Sequence, residues 1–358
     1  MSAIRRSSEW RGNVRSLPWI NNWAVRAALI IAAAFGLLAV NTANGEAVAV
    51  VAKAETPVQK YGKVRVCGVY LCDASGKPVQ LKGMSTHGTQ WYAHCLTDAA
   101  LDAMAYDWKA SVLRVATYAR EGGYAANPAK FTKLASDLVD KATSRGMYVI
   151  VDWHMIHPGD PNADIANATA FFKAIAKRHK NKTNVLYEIA NEPNRVSWSK
   201  IKTYSDKVIK VIRAEDPDSV ILVGNHGWST LGKSDGSTEQ KILDNPVRAS
   251  NIMYTFHYYA AFYRDKFRAH LDRASNKLPI FVTEWGAPSY TGVGSDFPMS
   301  QKFVDLLAKK KISWTAWALA DNVKEMSVFK QGACSGGKFA GPGVLKPGGV
   351  WMRERIRG

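Results

Sequence analysis

The chain has 358 residues, 47% of them hydrophobic and 22% charged, with a net charge of +18 at pH 7. That length is used up by one α/β barrel of roughly 250 residues and a leader, so no second catalytic domain is required. Residues 1–54 hold six Lys or Arg against two Glu, which leaves +14 for the remainder. Those charges are scattered along predicted helix faces, as at Lys173, Lys177 and Arg178, and not gathered into a stripe; this argues against a nucleic-acid partner.

In chain order, Arg5, Arg6, Arg11, Arg15 and Arg26 precede an apolar run of fourteen residues from Ala27 to Val40, and Ala43, Gly45, Ala47 and Ala49 follow. A run of this length is that of a secretory leader, short of the ~20 residues that span a bilayer. Residues 1–50 are therefore expected to direct export and be removed, leaving a secreted or periplasmic protein without stable membrane insertion. Residues 60–358 are expected to form the catalytic domain.

Val64, Val66, Val69 and Leu71, followed by Asp73-Ala-Ser-Gly-Lys-Pro78, predict a short N-terminal β-hairpin. Strands are then expected at Val79–Met84, Val112–Ala116, Met147–Asp152, Val185–Ile189, Val220–Val223, Ile252–Phe256, Ile280–Thr283 and Ser313–Ala318. Helices are expected between most of them: Ala99–Trp108, Pro128–Arg145, Ala163–Lys180, Ser197–Ala214, Ala261–Asn276 and Ser300–Lys310. Eight strands that are apolar on both faces and alternate with helices predict an α/β fold, a (β/α)8 TIM barrel. No G-x-G-x-x-G follows the first strand, so a dinucleotide cofactor has no support. No repeat or Ser/Pro-rich linker marks an appended binding module.

Two strands end in the same way. Val185-Leu-Tyr-Glu-Ile-Ala-Asn191-Glu192-Pro193 and Ile280-Phe-Val-Thr-Glu284-Trp-Gly286 each run from an apolar stretch into a glutamate. Catalytic groups of such barrels come from the C-terminal ends of strands, and two carboxylates there suit hydrolysis of a glycosidic bond. The remaining strand ends supply His87 and Trp91, Arg114 and Tyr118, His154, Asn225 and His226, His257 and Tyr259, and Trp317. A metal site built on His154, His226 and His257 is disfavoured, because no H-x-H or H-E-x-x-H pair is present; no metal and no organic cofactor are expected.

Gly83-Met-Ser-Thr-His-Gly-Thr-Gln-Trp91, Leu186-Tyr-Glu-Ile-Ala-Asn-Glu-Pro193 and Val282-Thr-Glu-Trp-Gly286 resemble segments of glycoside hydrolase family 5, in particular its bacterial-type cellulases, the endo-β-1,4-glucanases. The resemblance runs from about Lys63 to the C-terminus. It implies a retaining endoglucanase, monomeric and secreted, acting on a β-glucan polysaccharide or oligosaccharide. Glu192 would be the acid/base, holding its proton while Glu284, the nucleophile, is ionised. Asn191 would hold the sugar 2-hydroxyl, Arg114 and Tyr259 would orient Glu284, and His154 and His257 would fix hydroxyls. Trp317 and Trp91 would stack on sugar faces, with His87 and Tyr118 beside them. The family's Trp-Ser-Leu-x-x-Lys is replaced here by Trp317-Ala-Leu-Ala-Asp-Asn322-Val-Lys324, with Asn at the lysine's spacing; either Asn322 or Lys324, the latter from a lengthened loop, replaces the sugar-contacting lysine, or that contact is weakened. A mannanase or xyloglucanase on this scaffold, or a barrel that binds polysaccharide without cleaving it, are the alternatives.

Four cysteines, Cys67, Cys72, Cys95 and Cys334, allow three pairings in an exported chain. In a closed barrel the last strand lies beside the first, so Cys95, after strand 1, is expected to pair with Cys334, after strand 8. Cys67 and Cys72 would then close the hairpin.

Overall fold

Val112-Leu-Arg-Val-Ala-Thr-Tyr118 and Tyr148-Val-Ile-Val-Asp-Trp-His154 are rich in β-branched and aromatic side chains, and every residue in both is buried. Such strands are covered on both faces, as parallel strands between a core and a layer of helices are. In this computed structural model, which describes residues 38–40, 48–50 and 54–358, eight strands of this kind close into a parallel barrel. They are β1 (Lys82–Thr86), β2 (Val112–Tyr118), β3 (Tyr148–His154), β4 (Val185–Glu188), β5 (Ile221–Val223), β6 (Ile252–Tyr259), β7 (Ile280–Gly286) and β8 (Trp314–Leu319). Each strand pairs with its neighbours in the sequence, and β8 pairs with β1 to complete the ring.

The strands form where the apolar runs predict them, but six end further on, β1 at Thr86 and β8 at Leu319 among them. β2, β3, β6 and β7 continue to Tyr118, His154, Tyr259 and Gly286, beyond the expected ends at Ala116, Asp152, Phe256 and Thr283. Register then lines up the polar ends: Ser85 pairs with Arg114, Asp152 with Glu188, Tyr118 with His154, and His257 with Glu284. β1 begins at Lys82, three residues later than expected, because Val79 and Leu81 belong to the plug below the barrel.

That plug explains the N-terminal segment. Arg65–Cys67 and Tyr70–Cys72 pair antiparallel around Gly68, whose φ of 60° is a left-handed value that glycine adopts without a Cβ penalty. The turn is thus at Gly68-Val69, while Asp73–Pro78 forms the exit loop. Val64, Leu71 and Val79 pack onto Tyr148, Ile150, Leu186, Leu222 and Phe281, the inward side chains of the lower barrel. A second and larger apolar layer lies between strands and helices. In Pro128–Ser144, Phe131, Ala135, Leu138, Val139 and Ala142 form the buried stripe, and the Asn127 side chain accepts from Lys130 N to cap the first turn. The C-terminal helix Pro347–Arg357, absent from the expected elements, is held by Arg353 and Arg357 on Asp107.

Residues Leu38–Val40 and Val48–Val50 pair antiparallel and belong to a separate unit from Glu55–Gly358. The rest of the expected leader, including most of its apolar run, lies outside the described residues. Among the described residues, no helix is long and apolar enough to cross a membrane.

Both expected disulfides are present. Cys67 and Cys72 are joined across the hairpin, and Cys95 and Cys334 join the loops after β1 and β8 with Cα atoms 4.8 Å apart. Asp321 reinforces the second link by accepting from Cys334 N at 3.2 Å. Closing a span of 239 residues restricts the unfolded chain, an effect of roughly 5 kcal/mol in the chain-entropy picture. We expect Cys95→Ser/Cys334→Ser to lower unfolding free energy by about 2 to 5 kcal/mol in urea titrations; a loss below about 0.5 kcal/mol would show that the link does not constrain the fold.

Candidate active site

Arg114 projects from β2 into the upper barrel and is fully buried. A buried guanidinium requires carboxylates, and it has three. Nε and Nη2 donate to the two oxygens of Glu188 at 2.7 and 3.2 Å, Nη1 donates to Glu284 Oε2 at 3.2 Å, and Nη2 lies 3.0 Å from Asp152 Oδ2. Nη2 also donates to Asn191 Oδ1 at 2.7 Å, and Nη1 to Ser85 Oγ at 3.3 Å. Burial opposes the charge on Arg114, but Asp152, Glu188 and Glu284 outweigh it and raise its pKa. Burial likewise acts against the charge on Glu188, yet Arg114 and His257 hold that carboxyl at about 2. Asp152, also fully buried, is pushed up by burial and by its acidic neighbours in spite of Arg114.

His154 lies between Asp152 and Asn191. Its Nδ1 is 2.7 Å from Asp152 Oδ2, and Asn191 Nδ2 is 3.3 Å from its Nε2. Burial, then the charge of Arg114, lowers its pKa to about 3, so the ring is neutral. The partners assign the proton: Nε2 accepts from the asparagine amide, so Nδ1 donates to Asp152. Asn191 spends its oxygen on Arg114 and one amide hydrogen on His154, and a second hydrogen remains for a ligand.

His257 is tuned the other way. Thr283 Oγ1 donates to Glu188 Oε1 at 2.7 Å, so its oxygen accepts from His257 Nε2 at 2.8 Å. His257 Nδ1 is then 2.9 Å from Glu192 Oε1. Burial disfavours the imidazolium, but Glu188 and Glu192 raise its pKa to about 9. Glu284, on β7, receives Arg114 on one oxygen and the Tyr259 hydroxyl on the other at 2.7 Å. Burial and then the charge of Glu284 raise the pKa of Tyr259 far above the ordinary tyrosine range, which keeps the hydroxyl a donor.

Above this polar layer is a cleft of about 780 Å³ into which both Glu192 and Glu284 open. One wall is aromatic: Tyr118 stacks on His154 at 4.2 Å, His154 on Trp317 at 5.2 Å, and His87 lies 5.0 Å from Trp317. His87 Nδ1 accepts from Gly88 N, and burial followed by His154 lowers its pKa to about 4, so it is a neutral ring with Nε2 as donor. Trp91 is 47% exposed and stands edge-on to Tyr118, but is not itself among the side chains lining the cleft. Arg114, Asn191 and His257 lie beneath the cleft, and Tyr259 lines it. Trp285 and Trp314, also near strand ends, are core side chains packed edge to face at 5.5 Å.

Asn322 and Lys324 do not line the cleft. Asn322 donates to the Tyr92 hydroxyl at 2.8 Å and accepts from Lys324 N and Ser327 Oγ, so its amide is consumed in shaping the loop after β8. Asp152, Glu188 and Thr283 were not among the expected site residues, although Glu188 stands inside an apolar strand four positions before Glu192, which is itself a signal.

Nor do the metal-ligand types present form a ready site among the described residues. Glu192, His257 and Glu284 offer atoms within 4.8 Å of one another, with both ring nitrogens of His257 already engaged, Nε2 by Thr283 and Nδ1 by Glu192. His94, Cys95, Asp321 and Cys334 also cluster, with both sulfurs committed to the disulfide. His154, His226 and His257 are not brought together as three ligands.

The family model "Cellulase (glycosyl hydrolase family 5)" matches residues 72–323. Endoglucanase E-5 of Thermobifida fusca is 55% identical over 304 residues, which cover 84% of this chain and 65% of that protein. Endoglucanase MaCel5A of a Microbulbifer species is 50% identical, covering 85% and 60%. This chain thus spans less than two thirds of the length of these curated relatives. A crystal structure of the Thermobifida fusca endoglucanase catalytic domain in complex with cellotetraose superimposes with a TM-score of 0.84 at 54% identity, covering 85% of this chain and all of that one.

The His257 network has a pH signature. Its folded pKa of about 9 lies above the ordinary 6.5, so its contribution to stability is complete below pH 6.5 and is lost as pH rises through 9. We expect the stability advantage of the wild type over His257→Gln to shrink between pH 6.5 and 9 in chemical denaturation. An advantage that grows over that window would contradict the assignment.

Proposed function

Because the chain belongs to glycosyl hydrolase family 5, the cellulase family, we propose that it is an endoglucanase that hydrolyses internal β-1,4-glucosidic bonds with retention of configuration. The observation that carries this reading is the pairing of Glu192 and Glu284. Their facing oxygens lie within 4.8 Å of each other, close to the spacing of about 5 to 5.5 Å used by retaining enzymes and short of the ~6.5 to 9.5 Å that admits an inverting water.

The two carboxylates are dressed for different work. Arg114 and Tyr259 supply a donor to each oxygen of Glu284, which fixes its direction. Glu192 has His257 on one oxygen and is more open to the cleft, with 16% of its side chain exposed. In the first step Glu192 gives its proton to the glycosidic oxygen, the bond from that oxygen to the anomeric carbon breaks, and Glu284 bonds to that carbon. In the second step a water attacks the same carbon, its proton passes to Glu192, and Glu284 leaves. His257 Nδ1, 2.9 Å from Glu192 Oε1, holds that carboxyl in place through both steps. Asn191, held on two sides by Arg114 and His154, presents its remaining amide hydrogen to the sugar 2-hydroxyl. Tyr118, His154 and Trp317 offer the flat wall for a sugar ring. The relative solved with cellotetraose supports an oligosaccharide as ligand. The basic, then apolar, N-terminal sequence supports export; protein found only in the cytoplasm of the native host would contradict that part.

A hydrolysis panel of carboxymethylcellulose, mannan, xylan and xyloglucan tests the substrate class, with the fastest release of reducing ends expected from carboxymethylcellulose. Mannan or xyloglucan outrunning it would reassign the specificity. Glu284→Gln and Glu192→Gln should each fold and lose at least about 10³-fold in kcat on glucan. On an aryl cellobioside with a good leaving group, Glu192→Gln should recover much of the bond-breaking step because little protonation is needed, while Glu284→Gln should not. Equal losses on that substrate would refute the division of roles.

A further inference from the structure

The cleft has a second aromatic surface that the mechanism does not use. Phe262, in the first turn after β6, is 55% exposed, and Tyr290, in the loop after β7, is 57% exposed. Their rings meet edge to face at 4.9 Å and 83°, and both border the same cleft as Glu192 and Glu284. Single exposed aromatics are common on protein surfaces, but two joined at the mouth of a cleft form an apolar patch that water solvates poorly.

The segments bearing these rings are fastened in place. Within Ala260–Ala274 the helix breaks at Arg264, whose φ is 49°, a left-handed value costly for a residue with a long side chain. Arg264 Nη1 pairs with Asp296 Oδ2 at 2.8 Å, tying the turn that holds Phe262 to the far end of the β7 loop. That loop is gripped from the other side by Glu325. Its carboxylate accepts from Gly294 N at 3.0 Å and from Ser295 N at 2.9 Å, and its own backbone N donates to Gly292 O at 2.8 Å. The loop after β8 thus uses Glu325 to set the neighbouring loop that carries Tyr290.

We infer that Phe262 and Tyr290 form a sugar-stacking platform for a glucosyl unit beyond the cleavage point, with Glu325 as the positioning residue that holds Tyr290 in it. The inference rests on the proposed hydrolase reading. A pyranose ring presents flat faces of axial C–H groups, and successive units of a β-1,4-linked glucan are turned over relative to each other. A chain that stacks one unit on the wall of Trp317 can therefore offer another unit's face to rings on a different side of the cleft. Such a contact is available only to chains long enough to reach it.

The test is kcat/KM of the full chain on cellotriose, cellotetraose, cellopentaose and cellohexaose. For Phe262→Ala/Tyr290→Ala the loss should grow with chain length and reach roughly tenfold more on cellohexaose than on cellotriose, about 1.4 kcal/mol. Tyr290→Phe, which keeps the ring, should retain the wild-type length dependence. Glu325→Ala should reproduce the length-dependent loss through KM, while Tm stays within a few degrees of the wild type. An equal loss at every length, or none, in the double variant overturns the platform, and a Glu325→Ala variant with the wild-type length dependence overturns the positioning role. A wild type that cleaves no cellooligosaccharide overturns the functional reading itself, and the platform with it.

Discussion

The guanidinium of Arg114 is the fixed point of the upper barrel. It has no contact with water and is surrounded by Asp152, Glu188 and Glu284, each in hydrogen-bond or ion-pair range. Taking such charges out of water costs several kcal/mol per ion, and only the mutual pairing offsets that cost. Removing one member therefore leaves another buried and uncompensated. The network is poor evidence for extra stability and good evidence for fixed geometry. It orients Asn191 and gives Glu284 a permanent positive neighbour, and the charge of Arg114 adds to burial in keeping His154 neutral.

From this centre the two proposed catalytic glutamates acquire different surroundings without any difference in residue type. Glu284 sits at a β7 position in register with His257 of β6, saturated with donors from Arg114 and Tyr259. Glu192 follows β4 and meets an imidazole whose other nitrogen is linked through Thr283 to Glu188. His257 thus links the buried carboxylates to the cleft by hydrogen bonds. The apolar plug under the barrel and the disulfide between the loops after β1 and β8 hold the walls on which this depends, including Trp317 and the His87 beside it.

The barrel was legible in the sequence because eight apolar runs alternate with helices carrying a buried stripe, and because two of the runs end in glutamate. What periodicity missed were the polar ends of strands. Phe256 looked like the end of β6 because His257 and Tyr259 are polar, yet they continue the ladder into the site. Glu188 went unassigned for a related reason: it stands inside an apolar run, where a sequence reading registers the strand and not the lone charge, whereas Asp152 reads only as the last residue of its strand. Burial supplies the missing rule, since Arg114 within Val112-Leu-Arg-Val could not have been left without carboxylates. The C-terminal helix was hidden by Gly348 and Gly349, two weak helix formers in its first turn. The loop after β8 was the least legible part, because spacing to Trp317 marks a position along the chain and not the direction a side chain takes; there Asn322 turns to Tyr92 and Glu325 to the β7 loop.

The central claim is that Glu284 attacks the anomeric carbon itself, with no water between it and Glu192. The stereochemistry of the first product reports this directly. Proton NMR of cellopentaose or cellohexaose hydrolysis, followed from the first seconds before mutarotation, should show the β-anomeric signal of the new reducing end appearing first and the α signal growing later. Initial appearance of the α-anomer would mean single displacement by water and would contradict the account.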